Sequence, residues 1–372
     1  MSRWAGPTLL IAVALAGCST GGDQVMFPPA SRTSDAHPSG PPSSAPQPTP
    51  KPVETIATGL PVPWGLAFLP NSSALVTLRD RGEVLLVAEG AKTLSVGHVP
   101  GVEPDGEGGL LGIAVSPTFA TDHMVFVYFT ARDDNRVMRM TFDGTTLAPG
   151  RIIVEGITKA PNHDGGRLSF GPDGYLYIAT GDAGLGAPAQ DKATLNGKIL
   201  RVTAEGSPAP GNPFPGSRIW SLGHRNVQGM AWSRAGTMYA SEFGQNTWDE
   251  LNLIEPGRNY GWPNVEGIAR QSGFVDPIQQ WPTADASPSG ITIGKDAAIY
   301  MAALRGESLW RIPLDTRGKV GTPQRLLRGR YGRLRTVVSA PDGRLWLVTS
   351  NTFRGTPRPG DDQILALRLP IR

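Results

Sequence analysis

The chain alternates short apolar runs with compact polar turns, and this unit recurs six times. Each copy has an apolar run, a turn and a second apolar run. Turns such as Pro-Asp-Gly supply the positive-φ position that a tight hairpin needs. The copies are "GLAFLPNSSALVTL" from Gly65, "GIAVSPTFATDHMVFVYF" from Gly112, "RLSFGPDGYLYIAT" from Arg167, "GMAWSRAGTMYAS" from Gly229, "GITIGKDAAIYMAA" from Gly290 and "TVVSAPDGRLWLVTS" from Thr336.

A third apolar run follows most copies, for example "GEVLLV", "GKILRV" and "DQILAL". Short antiparallel strands that repeat roughly every 45 to 60 residues are typical of a β-propeller. Six copies therefore predict an all-β chain folded as a six-bladed β-propeller. A two-sheet β-sandwich with a coincidental rhythm is the competing interpretation.

Unusual polar residues occupy equivalent loops of several copies. The start of a meander's first strand and the end of its second lie at the same end of the sheet, so in a propeller these loops meet at one mouth of the central channel. His163 precedes the first strand of the third copy, and Asp182 follows its second strand. Equivalent loops hold Glu107, Arg225, Asn226, Glu242, Gly244, Arg305, Arg333 and Arg335. This convergence predicts a functional site at that mouth.

The first residues follow a different pattern, with Arg3, an apolar run from Leu9 to Ala16, and then Leu-Ala-Gly before Cys18. The run is too short to span a bilayer and is typical of a signal-peptide core. Small residues before the single cysteine resemble a bacterial lipobox. They predict lipidation of Cys18 and a cell-membrane location facing outside the cytoplasm. An ordinary signal peptide with an incidental cysteine is the alternative.

Three segments follow from these patterns. Residues 1–18 are the predicted signal peptide. Residues 19–52 are rich in Pro, Ser, Gly and Thr and cannot bury enough apolar surface to fold alone, so we expect an extended tether. Residues 53–372 contain the repeats and are expected to form the propeller. The net charge of +3 is dispersed, which argues against nucleic-acid binding.

Several motifs together resemble one family. They are "EGGLLGIAVSP", "NHDGGRLSFGPDGYLYIATGD", "LNGKILRV", "GHRNVQGMAW", "SEFGQNTWDELNLIEPGRNYGWPNV" and "GRLRTVVSAPDGRLWLVTS". The chain from about residue 55 to residue 370 resembles the soluble quinoprotein glucose/sorbosone dehydrogenases, also called PQQ-dependent aldose sugar dehydrogenases. The family is a six-bladed propeller that oxidises aldose-type sugars by hydride transfer to PQQ, with Ca²⁺ as a second cofactor.

The resemblance implies catalytic roles for three residues. His163 matches the general base that takes the proton of the anomeric hydroxyl, and Asp182 matches the acid beside it. Arg225, together with Asn226, matches residues that contact the quinone. A histidine suits this role because its ordinary pKa lies near neutrality.

The resemblance also implies a cofactor site. Arg333 and Arg335 match arginines that bind the carboxylates of PQQ, and the planar arginine fork suits carboxylates. Gly244 and Gln245 match positions whose backbone carbonyls hold Ca²⁺, a cation that prefers oxygen ligands.

The chain departs from the glucose-oxidising members at several positions. Glu107 stands where they have glutamine and Arg305 where they have lysine, and we assign both to the cofactor site. The other departures are Asn162 before the histidine, Gln245 in place of proline, Trp248 in place of a small acid and Thr336 after the arginine pair. These changes do not favour glucose as the substrate.

Two functions stay open. The first is a lipid-anchored sugar dehydrogenase that uses PQQ and Ca²⁺, a small-molecule sugar and an external electron acceptor. The second is a non-catalytic propeller that binds a cell-envelope glycan or a protein partner at the same mouth. A propeller fold alone does not separate them.

Overall fold

Twenty-four β-strands form six four-stranded antiparallel sheets in this computed structural model, which describes residue 1 and residues 51–369. Each sheet is one blade of a propeller, so the predicted six-bladed fold is confirmed. Cys18 and nearly all of the predicted tether lie outside the described residues. Strand β1 begins at Lys51, two residues before the predicted start of the propeller.

Strand β1 belongs to the last blade, and blades 1 to 3 follow it in order along the chain. These strands are β1 (Lys51–Ala57); β2 (Pro63–Phe68), β3 (Ala74–Leu78), β4 (Glu83–Val87) and β5 (Leu94–His98) in blade 1; β6 (Leu110–Val115), β7 (Met124–Thr130), β8 (Asp134–Phe142) and β9 (Leu147–Thr158) in blade 2; and β10 (Leu168–Phe170), β11 (Leu176–Ala179), β12 (Lys198–Val202) and β13 (Ile219–Leu222) in blade 3.

Blades 4 to 6 continue the same order. Their strands are β14 (Val227–Trp232), β15 (Met238–Glu242), β16 (Trp248–Ile254) and β17 (Gln279–Pro282) in blade 4; β18 (Pro288–Ile293), β19 (Ile299–Ala303), β20 (Ser308–Ile312) and β21 (Gln324–Leu326) in blade 5; and β22 (Leu334–Ser339), β23 (Leu345–Thr349) and β24 (Ile364–Arg368) in blade 6. Strand β1 pairs with β24 as the outer strand of blade 6, which closes the ring with the N-terminal part of the fold.

Helical structure among the described residues is limited to one turn of α-helix, α1 (Phe119–Asp122), and one 3-10 turn over Ala187–Ala189. Neither has the length or the apolar character that a helix needs to cross a bilayer.

The predicted hairpin turns form as their residues dictate. In the turn between β10 and β11, the Gly174 amide donates to the Gly171 carbonyl, and Gly174 has a φ of 78°. The Asp173 carboxylate accepts from the Tyr175 amide. This turn therefore needs the Pro-Asp-Gly sequence, because only glycine adopts the left-handed conformation without strain.

The hydrophobic core is divided into six clusters, one between each pair of neighbouring blades. Between blades 2 and 3, for example, Phe126 and Tyr128 pack with Leu168 and Ile178, and all four are buried. Between blades 6 and 1, the ring of Trp346 lies edge-on to Phe68, with 4.9 Å between the ring centroids. Each blade is thus stable only against its neighbours, as expected for a repeat fold.

The inner strands approach one another closely around the channel axis. Four of them carry a glycine at the same position, namely Gly65, Gly112, Gly229 and Gly290. A Cβ atom on Gly65 would lie 2.7 Å from the Leu111 carbonyl oxygen of the next blade, and one on Gly290 would lie 2.9 Å from Thr336 Cα. Side chains are excluded there because the next blade occupies the space.

In five of the six inner strands, all but β10, irregular pairing turns the residue before the glycine, or before Thr336 in blade 6, toward the channel. The register with the second strand shifts around Trp64, Leu111, Gln228, Ser289 and Arg335. A β-bulge changes the direction of a side chain relative to the sheet. Four of these residues, all but Ser289, line the cavity described below.

Arg167 occupies the position at which four other blades have glycine and blade 6 has Thr336. Its Nε donates to the Gln228 carbonyl at 2.7 Å, and a terminal nitrogen donates to Thr336 Oγ1 at 3.0 Å. Its guanidinium also lies 4.3 Å from the ring centroid of Trp64. One side chain therefore ties together the inner strands of four blades.

We predict that Gly65→Ala destabilises the protein by about 1–3 kcal/mol, since the added methyl group overpacks the contact with Leu111. Gly321→Ala is the matched control, because a Cβ there would meet only Pro313 Cβ at an ordinary 3.4 Å. Urea unfolding of both variants measures the difference. Equal stability of the two variants would show that the inner strands can move apart without a loss of stability.

Candidate active site

A cavity of about 350 Å³ opens at one mouth of the propeller channel. Residues from several blades line it. They are Trp64, Glu107, Leu111, Asn162, His163, Asp164, Gly165, Arg225, Asn226, Gln228, Phe243, Gly244, Ser287, Leu304, Arg305, Arg333, Arg335, Phe353 and Arg354. A volume of this size is typical of a site for a small molecule or cofactor.

The predicted site residues converge as the repeat positions imply. Eight of the eleven that lie in the described residues line this one cavity: Glu107, His163, Arg225, Asn226, Gly244, Arg305, Arg333 and Arg335. The other three, Asp182, Glu242 and Gln245, lie beside it, and Glu242 accepts a hydrogen bond from the Arg225 amide. A larger opening of about 660 Å³ at the other end of the channel is lined mainly by the ends of the inner strands and contains none of the predicted residues.

His163 is held by its backbone and by a carboxylate. Its φ of 60° places it in the left-handed region, an uncommon conformation that often marks a functional residue. Its Nδ1 lies 2.8 Å from Asp182 Oδ1. Because a carboxylate accepts, Nδ1 carries the proton, and Nε2 is the basic nitrogen of the neutral ring.

Asp182 is in turn fixed by donors on both oxygens. The Gly184 amide donates to Oδ1 at 2.8 Å, and the Trp262 indole donates to Oδ2 at 2.7 Å. Burial on its own would raise the pKa of Asp182, but the hydrogen bonds from His163, Gly184 and Trp262 hold it below its usual value. The carboxylate therefore stays ionised and fixes the orientation of the imidazole.

Three arginines place positive charge in the cavity without neutralising partners. Arg225, Arg333 and Arg335 form no salt bridge with any described acidic residue, and the Nε of each is buried with no partner there. Burial lowers the pKa of all three, that of Arg335 to about 9. Uncompensated buried cations are unfavourable in a folded protein, so the site suits an anionic ligand.

Arg335 lies at the floor of the cavity, where the irregular inner strands bring polar groups together. It donates to Gln228 Oε1 at 2.7 Å, and Ser289 Oγ donates to the same oxygen at 3.0 Å. Its guanidinium lies 5.7 Å from the centroid of Trp64. Aligning the six repeats on their glycines would have placed Trp64 and Gln228 in the site; neither was predicted.

Two further charged residues were missed for different reasons. Asp164 directly follows His163 and is buried. Arg354, in the loop between β23 and β24, forms an ion pair with Glu107 across the mouth of the cavity. The equivalent loops of blades 3, 4 and 5 carry Asp182, Gly244 and Arg305, so the position of this loop in the repeat is the signal that could have marked Arg354. Arg305 is exposed at the rim and forms no hydrogen bond with the described residues.

Asn226 has a structural role as well as its predicted one. Its side-chain oxygen accepts from the Gly165 amide at 3.0 Å, and its carbonyl accepts from the Phe243 amide at 3.2 Å. It therefore ties the His163 loop to blade 4, and a change at Asn226 would move both.

The predicted calcium loop is arranged around one carboxylate. Glu266 Oε1 accepts backbone hydrogen bonds from Gln245 at 2.7 Å and Asn246 at 3.2 Å. In a planar trans peptide the carbonyl points opposite to the amide that follows it, so the carbonyls of Gly244 and Gln245 point away from Glu266. The described residues contain no cluster of three acidic, histidine or cysteine side chains suited to a metal.

The arrangement combines an imidazole held by a carboxylate with three arginines that have no acidic partner among the described residues, all at one cavity. The sequence profile for Glucose / Sorbosone dehydrogenase matches residues 60–355. The chain belongs to the glucose/sorbosone dehydrogenase family. This confirms both the predicted family and the predicted enzyme class, a sugar dehydrogenase-like oxidoreductase.

The alignments with known relatives cover most of this chain. The aldose sugar dehydrogenase YliI of Escherichia coli is 33% identical over 340 residues, which are 81% of this chain and 90% of that protein. The PQQ-bound aldose sugar dehydrogenase of Streptomyces coelicolor is 53% identical, with a TM-score of 0.82 over 87% of this chain and 99% of that one. The soluble aldose sugar dehydrogenase of Escherichia coli in its apo-form is 29% identical, with a TM-score of 0.77 over 85% and 99% of the two chains.

We predict that Arg335→Met makes the unliganded protein more stable by about 1–3 kcal/mol, because it removes a buried cation that has no carboxylate partner. Gln228 Oε1 keeps its hydrogen bond from Ser289, so no acceptor is left unpaired. Urea unfolding without ligand measures the change.

The matched control is Arg311→Met. Arg311 is equally buried on β20, but it is paired with Asp296 at 2.7 Å. This variant should lose stability. If Arg335→Met loses stability to the same extent, Arg335 serves to hold the inner strands together and is not an unfavourable buried charge that is kept for binding a ligand.

Proposed function

We propose that the protein is a PQQ-dependent aldose sugar dehydrogenase anchored to the outside of the cell membrane by a lipid on Cys18. The dehydrogenase part is supported by the family match and by the aldose sugar dehydrogenases of Streptomyces coelicolor and Escherichia coli. The observation that carries it is the cavity that His163 shares with three arginines, each with a buried Nε and no carboxylate partner among the described residues.

The cavity fits PQQ in charge and in donor geometry. PQQ carries three carboxylates, and the unpaired Nε groups of Arg225, Arg333 and Arg335 are donors that lack acceptors. Hydrogen bonds between guanidinium and carboxylate groups are among the stronger ones in proteins. We therefore assign these three arginines to the binding of the cofactor.

Calcium would be held by the loop after β15. The carbonyls of Gly244 and Gln245 are turned away from Glu266 and accept no hydrogen bond from the described residues. Carbonyl oxygens are ligands that Ca²⁺ prefers. Because the protein offers few further ligands there, the remaining ones would come from the cofactor and water.

His163 acts as the base in this proposal. When bound, the quinone of PQQ would supply the acceptor for the hydride that leaves C1 of the sugar. Nε2 of His163 takes the proton of the anomeric hydroxyl, while Asp182 keeps the proton on Nδ1 and stabilises the imidazolium. Trp262 keeps Asp182 in place through its indole hydrogen bond.

Glu107 and Arg305 lie where the sugar would enter. Glu107 is paired with Arg354, and Arg305 lies exposed at the rim with no partner in the part of the chain that the structure describes. Both replace neutral or smaller groups of the glucose-oxidising members, and we propose that they set the choice of aldose.

We predict that His163→Gln lowers PQQ-dependent reduction of a dye by an aldose about 10²–10⁴-fold, the usual effect of removing a general base. PQQ affinity and melting temperature should stay near those of the wild type, because glutamine still reaches Asp182. The measurement is dye reduction by the Ca²⁺-reconstituted protein across a panel of aldoses. His98→Gln, on the exposed outer strand of blade 1, is the control and should retain full activity.

If the wild type binds PQQ but oxidises no aldose, and His163→Gln changes only stability, then His163 is a structural residue. The binding-propeller alternative would then account for the site.

We predict that Cys18→Ala abolishes lipidation, so that the protein is found unprocessed or outside the membrane fraction. Ser19→Ala, the neighbouring control, should remain membrane-bound. Fractionation of cells and mass spectrometry of the mature N-terminus measure the outcome. A Cys18→Ala protein that is processed and still sediments with membranes would refute the lipid anchor.

A further inference from the structure

Asp164 is a buried carboxylate beside the cavity with one oxygen unused. It is 3% exposed and follows the catalytic His163. Its Oδ1 accepts from Asn135 Nδ2 at 2.8 Å and from the Ala160 amide at 3.2 Å. Its Oδ2 is buried and has no partner among the described residues. An unpaired buried carboxylate oxygen is costly and needs an explanation.

The hydrogen bonds around Asp164 determine which oxygen can carry a proton. Thr130 Oγ1 donates to Asn135 Oδ1 at 2.7 Å, so the amide group of Asn135 is fixed as a donor toward Asp164. Oδ1 therefore stays an acceptor. A proton on Asp164 would sit on Oδ2.

The charges that face Asp164 come from several elements. Glu107 and Asp105 lie in the loop before β6, and the Tyr128 hydroxyl of β7 donates to the Asp164 carbonyl. His163 adjoins it in sequence, and Arg225 lines the same cavity. Burial raises the pKa of Asp164 to about 6; the hydrogen bonds from Asn135 and Ala160 oppose this rise, while Glu107 and Asp105 add to it.

The other acidic residues around the cavity are already engaged. Both oxygens of Asp182 accept hydrogen bonds, and one oxygen of Glu107 is paired with Arg354. Asp249, near the predicted calcium loop, accepts backbone amides on both oxygens. Of the two acidic residues that line the cavity, Glu107 and Asp164, Asp164 is the one with a buried oxygen that has no partner among the described residues.

We propose that Asp164 takes up one proton from solvent on Oδ2 when PQQ occupies the cavity, so that cofactor binding is coupled to protonation. The proposal rests on the proposed function, since it concerns the same cofactor. Three added carboxylates in the cavity disfavour a fourth negative charge nearby. Neutral Asp164 lowers that repulsion and leaves the arginines available for the cofactor.

The coupling sets the direction of the pH dependence. Below about pH 6 Asp164 is already protonated in the free protein, and its ionisation does not affect affinity. Above that pH the free protein must gain a proton to bind, so affinity falls as pH rises until the pKa of the complex is passed.

The test is calorimetric titration of Ca²⁺-containing apoprotein with PQQ at pH 7.5, in buffers of different ionisation enthalpy. Asp164→Asn is the informative variant, because asparagine keeps the acceptor for Asn135 and imitates the neutral acid. We expect the wild type to take up about one proton more than Asp164→Asn. The ratio of their dissociation constants should be near one at pH 5 and reach at least about tenfold by pH 8, with Asp164→Asn the tighter binder.

Two controls separate other sources of protons. Asp105→Asn removes a nearby exposed acid and should take up protons like the wild type. His163→Gln removes the imidazole, and the difference that Asp164→Asn causes should persist in this background. Equal proton uptake with and without Asp164 would overturn the proposal, whereas failure of all variants and the wild type to bind PQQ would overturn the proposed function instead.

If Asp164→Asn does not fold, infrared difference spectra of the wild type provide a second test of the proposal. Addition of PQQ should produce a carboxylic acid band that shifts when the protein carries ¹³C-labelled aspartate. If no labelled band appears at pH 7.5, Asp164 is not protonated on binding.

Discussion

The close approach of the inner strands around the channel axis is the constraint on which the rest of the structure depends. Four strands meet this constraint with glycine, and their preceding residues bulge toward the channel. Arg167 fills the remaining axial space and bonds to Thr336 of blade 6. Contacts with Arg167 and Gln228 therefore hold Trp64 and Arg335 in place at the floor of the cavity. Packing that builds the fold also shapes the site.

The site retains charge that folding alone does not favour. Arg335 is buried with only neutral hydrogen-bond partners, and Asp164 is buried with one oxygen unpaired. Such groups cost stability and persist in proteins where a ligand needs them. His163 differs, because Asp182 and Trp262 hold it in a complete hydrogen-bond chain. In the proposed function, His163 transfers the proton and the arginines without acidic partners bind the cofactor.

The fold and the catalytic pair were predictable because both follow from the repeat. Turn residues and apolar runs identify three strands in each blade, and loop position places His163 and Asp182 at one mouth. The fourth strands have weaker patterns and were not predicted, and the pairing of β1 with β24 depends on closure of the ring. The contact between Arg354 and Glu107 joins residues far apart in sequence on different blades, so only the assembled ring reveals it. Burial of Asp164 likewise depends on packing by blade 2.

Titration of the purified protein with PQQ in the presence of Ca²⁺ tests the central claim most directly. The claim is that a cavity of uncompensated arginines beside His163 binds a trianionic quinone for sugar oxidation. It predicts saturable binding of one PQQ per chain, together with dye reduction that depends on an added aldose. Absence of PQQ binding, or binding with no oxidation of any aldose, would contradict it.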